Sequence, residues 1–305
     1  MTDQLSIEER QELPQALLWL KDAPLFIDAN RLADFYDAIV RPPHKEGPTI
    51  IKLTEQSKKS LEASLGAKIG ASLSKWLSAL ADAKAEITVS GSGKVEDGKA
   101  KEASITLEPI TTPQRQLEQL AIFYLVKYPD RLFLVEEMSA PDWRDEAVIS
   151  RAPRELAFLN VPPGSIVIPT AAEFDDGRVV TFFDQMCAED GRRPPAYPSK
   201  RNSPETFATA RKEYWQWYVK NFEPQQAIKL IENAAAEHGR ICWIDFRMPM
   251  ESEGDTIHLH MSAAGKYETG VFAYYLVRRA YEYGLRLVGT LKSEPDMNVL
   301  AVYER

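Results

Sequence analysis

Only two cysteines occur in the chain, Cys187 and Cys242, far apart in sequence. This excludes a disulfide framework and a Cys-x-x-Cys metal knuckle, and it predicts two buried thiols in a reducing compartment. Long apolar runs are missing as well: no stretch reaches the roughly 18 residues that a membrane-spanning helix needs. The opening segment "MTDQLSIEERQELPQALLWL" begins with acids and has no basic region ahead of an apolar one. It does not read as a secretory signal, so the expected location is the cytoplasm. Positive charge is in deficit, with a formal net charge of -8. Wholesale coating of a nucleic-acid backbone is thereby excluded, and any basic patch must be local.

Several catalytic and cofactor signatures are also absent. The segment "SGSGK" places Thr88 where a phosphate-binding loop needs its first glycine and Val95 where it needs Ser or Thr, so the P-loop reading fails. No Gly-x-Gly-x-x-Gly follows a strand, and neither Gly-x-Ser-x-Gly nor Ser-x-x-Lys is present. No cofactor is expected on these grounds, and nucleophilic catalysis has no support.

What is present reads as an α+β chain with mainly antiparallel sheets and packed helices. A division near residue 155 separates an N-terminal α+β domain, 1–155, from a C-terminal α+β domain, 156–305. The first should carry a strand at Leu25 to Ile27, a helix capped by Asp28, and a helix over 113–128 that begins at Pro113. Its clearest periodicity lies at 54–84, where Leu61, Leu65, Ile69, Leu73, Trp76, Leu77 and Leu80 recur at steps of three and four. That pattern predicts a long amphipathic helix. Gly66 and Gly70 sit one turn apart on it, and each costs about 1 kcal/mol relative to alanine, which close approach by another backbone would offset. Gly66, Gly70, Leu73 and Trp76 are therefore candidate interface residues for a homo-oligomer or a protein partner. The tryptophan and the excess of lysines admit membrane association as an alternative. A polar hairpin with strands near 86–90 and 103–108 follows.

In the second domain, residues 165–169 and 178–183 read as a hairpin joined through Asp175, Asp176 and Gly177, with the two acids as turn formers. Two helices follow, one from Ser203 and Pro204, the other from Pro224 to a stop at Gly239. "RICWIDFRMP", "DTIHLHM", a helix over 266–283, "LRLVGTLK" and "MNVLAVYE" then form a ββαββ unit.

Two constellations carry chemical interest. In a strand alternate side chains share a face, so Thr256, His258 and His260 point one way while Ile257, Leu259 and Met261 point the other. Asp245 shares its strand's face with Trp243 and Arg247. If hairpin register sets Asp245 beside the imidazoles, the three could bind a metal or transfer protons; otherwise the histidines decorate a surface. The second constellation is basic and aromatic: Arg192, Arg193, Lys200, Arg201, Arg211, Tyr214 and Trp217. Guanidinium forks and flat rings suit a nucleotide, a nucleic-acid strand or another phosphate-bearing ligand, although a solvated loop leading into a core-facing helix has the same composition.

The stretches "FIDANRLADFYDAI" and "VLAVYER" resemble the opening and closing of a family of uncharacterised bacterial proteins, a domain of unknown function. Glu304, between Tyr303 and Arg305, departs from the family's closing pattern. The resemblance implies a bacterial, cytosolic setting and assigns no active residue. On sequence alone the leading expectation is a binding or interaction protein without enzyme chemistry, self-associating or binding a partner through 54–84. The alternatives are an enzyme or sensor for a phosphate-bearing ligand at the two constellations, and a membrane-associating protein.

Overall fold

A computed structural model describes residues 13–40, 49–53, 103–107, 112–136, 154–182, 195, 203–249, 256–263, 271–291 and 296–305. The 54–84 helix, with Gly66, Gly70, Leu73 and Trp76, lies outside the described residues, as do Arg192, Arg193, Lys200 and Arg201. The described chain is α+β. It divides into two compact units, 1–23 with 29–133 and 24–28 with 134–305. The division thus falls earlier than the expected residue 155, because strand β4 (Leu132–Glu136) runs into the edge of the large sheet and draws the chain after it into the second unit.

In the first unit, a 3-10 helix Gln15–Lys21 precedes α1 (Ala29–Ile39), β2 (Thr49–Leu53), β3 (Ala103–Leu107) and α2 (Pro113–Lys127). Proline opens α2, where its missing N–H would have no helical partner in any case. All residues from 116 to 126 of α2 except the half-buried Glu118 are buried, so this helix is a centre around which others pack rather than an amphipathic surface helix. Tyr36 of α1 donates its hydroxyl to Gln119 of α2, which satisfies two polar groups inside the core. The Gln114 amide donates to the carbonyls of Leu20, Lys21 and Asp22 at 3.3, 3.1 and 3.0 Å, closing the end of the 3-10 helix. Strand β3 pairs with β2, from Thr49↔Leu107 to Leu53↔Ala103, whereas the 86–90 arm of the expected polar hairpin lies outside the described residues. A ladder partner from across a long insertion is not visible in local pattern.

The second unit is built on a sheet whose strands lie in the order β4, β5 (Leu156–Val161), β10 (Leu285–Leu291), β11 (Asp296–Glu304), β9 (Thr256–Ser262), β8 (Ile241–Pro249), β6 (Ile168–Phe174) and β7 (Val179–Thr181). The short β1 (Phe26–Ile27) joins β11 through Phe26↔Val302 and Ile27↔Ala301. The pairs β8–β9, β10–β11, β5–β10, β6–β8 and β6–β7 are antiparallel, whereas β9 and β11 run parallel. The C-terminal ββαββ unit is therefore present with one parallel junction, made possible because α5 (Val271–Glu282) and β10 together supply the crossover.

One face of this sheet is apolar and wholly buried: Phe174, Ile244, Phe246, Met248, Ile257, Leu259 and Met261 are at most 1% exposed. Helices α4 (Pro224–His238) and α5 pack on each other and on β6, and the ring of His238 meets Phe174 at 5.7 Å on that side. Gly239 ends α4 at φ +94°, a conformation that L side chains rarely adopt, and a Cβ there would strike Asp175. The turn expected at 175–177 is present: Asp176 Oδ1 accepts from the Arg178 amide at 2.9 Å and Gly177 has φ +80°. Its first strand, however, runs Ile168–Phe174 rather than over 165–169. Cys242, expected to be buried, is exposed. The register with β6 shifts opposite it, between Glu173 and Phe174, so it sits at a β-bulge.

Candidate functional site

The opposite face of the same strands is polar and half-buried, and the register assembles it in rows. Asp245 of β8 stands opposite His260 of β9, Arg247 opposite His258, and Trp243 opposite Ser262. Phe246 pairs with Leu259 on the buried side. A register slipped by one residue would set Phe246 against the imidazoles; the observed register instead places Asp245 directly across from His260 and diagonally from His258. The central row continues in both directions, through Ala171 of β6 on one side and Asn298 of β11 and Thr290 of β10 on the other.

Within this face Asp245 lies between the two imidazoles. Its Oδ1 is 2.6 Å from His260 Nδ1, and its Oδ2 is 3.2 Å from His258 Nε2. The three side chains are 18% (Asp245), 25% (His260) and 18% (His258) exposed, enough for a ligand to reach and little enough to strengthen their coupling. Burial by itself pushes the Asp245 carboxyl up, but hydrogen bonds from His258 and His260, together with their charge, hold it well below the usual carboxylate range. An ionised carboxylate only accepts hydrogen bonds, so the facing nitrogen of His260 is an N–H donor. The second nitrogen, Nε2, is then the lone-pair nitrogen of the neutral ring, and it has no hydrogen-bond partner among the described residues.

Surrounding groups hold this cluster in place. The Trp243 ring lies 5.6 Å from that of His260, and its indole N–H donates to Glu173 of β6, which fixes the ring's orientation. The Thr170 hydroxyl donates to the Asp245 carbonyl at 3.2 Å across the β6 bulge. At the end of the row of β9 side chains, Ser262 donates to Asp28, a buried acid that follows β1. Asp28 therefore serves the second unit's polar face besides preceding α1.

The second constellation is divided. Helix α3 (Pro204–Asn221) starts as expected, with Ser203 accepting from the Thr206 amide at 3.4 Å. Its aromatic residues Tyr214, Trp215 and Tyr218 are buried with Ile168, and Trp217 packs against them. Tyr214 and Tyr218 have ring centroids 4.8 Å apart. Tyr214 is therefore engaged in packing, and Arg211 and Lys212 are half-buried on the same helix. Ile168 is the register partner of Arg247, so α3 is anchored on the polar side of the sheet beyond the Arg247 end of the face.

Reasoning from sequence finds Asp245, His258, His260 and their shared parity with Trp243. It misses Ser262, which has the parity of His260 on β9, and Glu173, Asn298 and Asp28, which reach the face from segments distant in sequence. Among the described residues no group of three His, Cys, Asp or Glu side chains is disposed to hold a metal ion, and none of the helices is long and apolar enough to cross a membrane. No family model, curated protein or solved structure matches the chain.

Proposed function

We propose that the second unit binds a ligand on its polar sheet face and moves a proton there, with His260 Nε2 as the accepting atom and Asp245 as its positioning residue. The observation that supports this reading is the 2.6 Å hydrogen bond between His260 Nδ1 and Asp245 Oδ1. A carboxylate on Nδ1 fixes the tautomer and the orientation of the ring, which leaves Nε2 as the atom that can take a proton. The phosphate-bearing ligand expected from Arg192, Arg193, Lys200 and Arg201 adds nothing to this, since those residues lie outside the described ones. The tautomer is the test. Long-range proton-nitrogen correlation spectra of the wild-type protein, recorded above the imidazole titration range of about 6.5, should show His260 protonated at Nδ1, with His260→Gln identifying the signal. A neutral ring protonated at Nε2 would remove the proposal.

Self-association through 54–84 is a second, independent proposal, supported by the small-residue face around Gly66 and Gly70 in the sequence. Sedimentation velocity should show a mass that rises with concentration and that Gly66→Leu with Gly70→Leu abolishes. A wild-type monomer at every concentration would sink it.

A further inference from the structure

Asn298 is the in-register neighbour of His260 on β11, on the side away from Asp245. Strands in a ladder lie about 4.8 Å apart, and register partners project from the same face. The base is therefore flanked by its positioning carboxylate on one side and by a carboxamide on the other. Asn298 is half-buried, and its side chain makes no hydrogen bond among the described residues. A carboxamide and an imidazole with a lone-pair nitrogen are thus in register on neighbouring strands of the half-buried face, and neither the Asn298 amide nor His260 Nε2 has a hydrogen-bond partner among the described residues. The parallel pairing of β9 with β11 alone produces this juxtaposition. The glycine beside it is also required: a Cβ on Gly289 of β10 would come within 2.3 Å of the Asn298 carbonyl oxygen.

Resting on the reading of His260 as proton acceptor, we infer that the ligand is an acyl compound, an ester or activated amide, and that the face hydrolyses it with Asn298 as donor to the carbonyl oxygen. A base and an N–H donor one strand apart match the needs of attack on a carbonyl: one group takes the nucleophile's proton while the other receives the charge that develops on oxygen. Water is the nucleophile. Ser262, the nearest hydroxyl along the strand, already donates to Asp28 in the adjoining row. The site's exposure also argues for water, because abstraction of a carbon-bound proton to form an enolate is better served by a sealed cavity.

The step balances without a further reactant. His260 Nε2 removes a proton from water as the water oxygen bonds to the acyl carbon, and the carbonyl electron pair moves onto oxygen, where the Asn298 amide donates to it. Collapse of this intermediate expels the leaving group, which takes the proton from His260 Nε2, giving one carboxylic acid and one alcohol or amine.

The test uses the full chain with p-nitrophenyl acetate as probe. Saturable release of p-nitrophenolate is expected, with kcat lowered about 100-fold or more by His260→Gln and about 100-fold by Asn298→Ala at little changed KM. Asn298→Asp preserves size and removes the donor, so it should be as impaired as Asn298→Ala. It keeps the test valid if the alanine variant folds poorly. A wild-type rate equal to that of buffer, or full activity in Asn298→Asp, would overturn the acyl reading. The His260 tautomer separates the two claims: an Nδ1–H ring without ester cleavage removes only this inference, whereas an Nε2–H ring removes the proton-acceptor reading as well.

Discussion

Asp245→Asn is expected to flatten the acid limb of the protein's stability curve and to release the His260 tautomer, the larger effect being on any turnover that uses the ring. The carboxylate is held low because two imidazoles donate to it against the opposing effect of burial. A group whose folded-state pKa lies below its unfolded value stabilises the fold fully above the unfolded value, about 4 for aspartate, and that contribution is lost as pH falls through the depressed value. Urea midpoints for the wild type should therefore fall as pH drops below about 4, while those of Asp245→Asn should fall less steeply. At neutral pH the variant should be less stable by about 1 to 3 kcal/mol, because an amide replaces a charged acceptor of two hydrogen bonds. Asparagine can present either its oxygen or its amino group to His260, so the ring is no longer confined to the Nδ1–H tautomer. Loss of that control should lower His260-dependent turnover on the order of 10²- to 10⁴-fold. Parallel pH profiles for the two proteins would show that Asp245 is not coupled to the imidazoles as described.

The largest loss of stability is expected from the neighbouring residue on the opposite face. Phe246 is 0% exposed and sits among Ile244, Met248, Ile257, Leu259 and Met261 on the buried side of the sheet. Phe246→Ala removes the ring and leaves a cavity that these close-packed neighbours fill only in part, at a cost of about 3 to 5 kcal/mol. The denaturant midpoint should drop accordingly with an unchanged slope. Cys242→Ser, a few residues back on the same strand but exposed at the bulge, should change stability by no more than about 0.5 kcal/mol. Equal costs for the two substitutions would contradict the burial of Phe246 and the exposure of Cys242.

Much of the fold was legible where a short-range rule governs it. Pro113, Ser203 with Pro204, and Pro224 with Gly239 mark helix ends through local backbone chemistry, and the structure has helices at those places. The turn through Asp175, Asp176 and Gly177 is legible for the same reason. Local pattern fails where a partner comes from far away. Strand β3 takes β2, which lies beyond a long insertion, and Cys242 is exposed because of a register shift set by β6, which precedes it by two helices.

The candidate site divides along the same line. The amino-acid sequence by itself determined that His258 and His260 share a face, that Asp245 shares its face with Trp243 and Arg247, and that Ile257, Leu259 and Met261 must turn the other way, because a strand alternates with period two. Only the tertiary structure decided that the two polar faces coincide, with Asp245 opposite His260, and that Asn298 completes the row. Register between β8 and β9 is set by burying Phe246 and Leu259 together. The neighbour on the other side is set by a parallel pairing across α5 and β10. Both are outcomes of packing between segments that no local pattern relates.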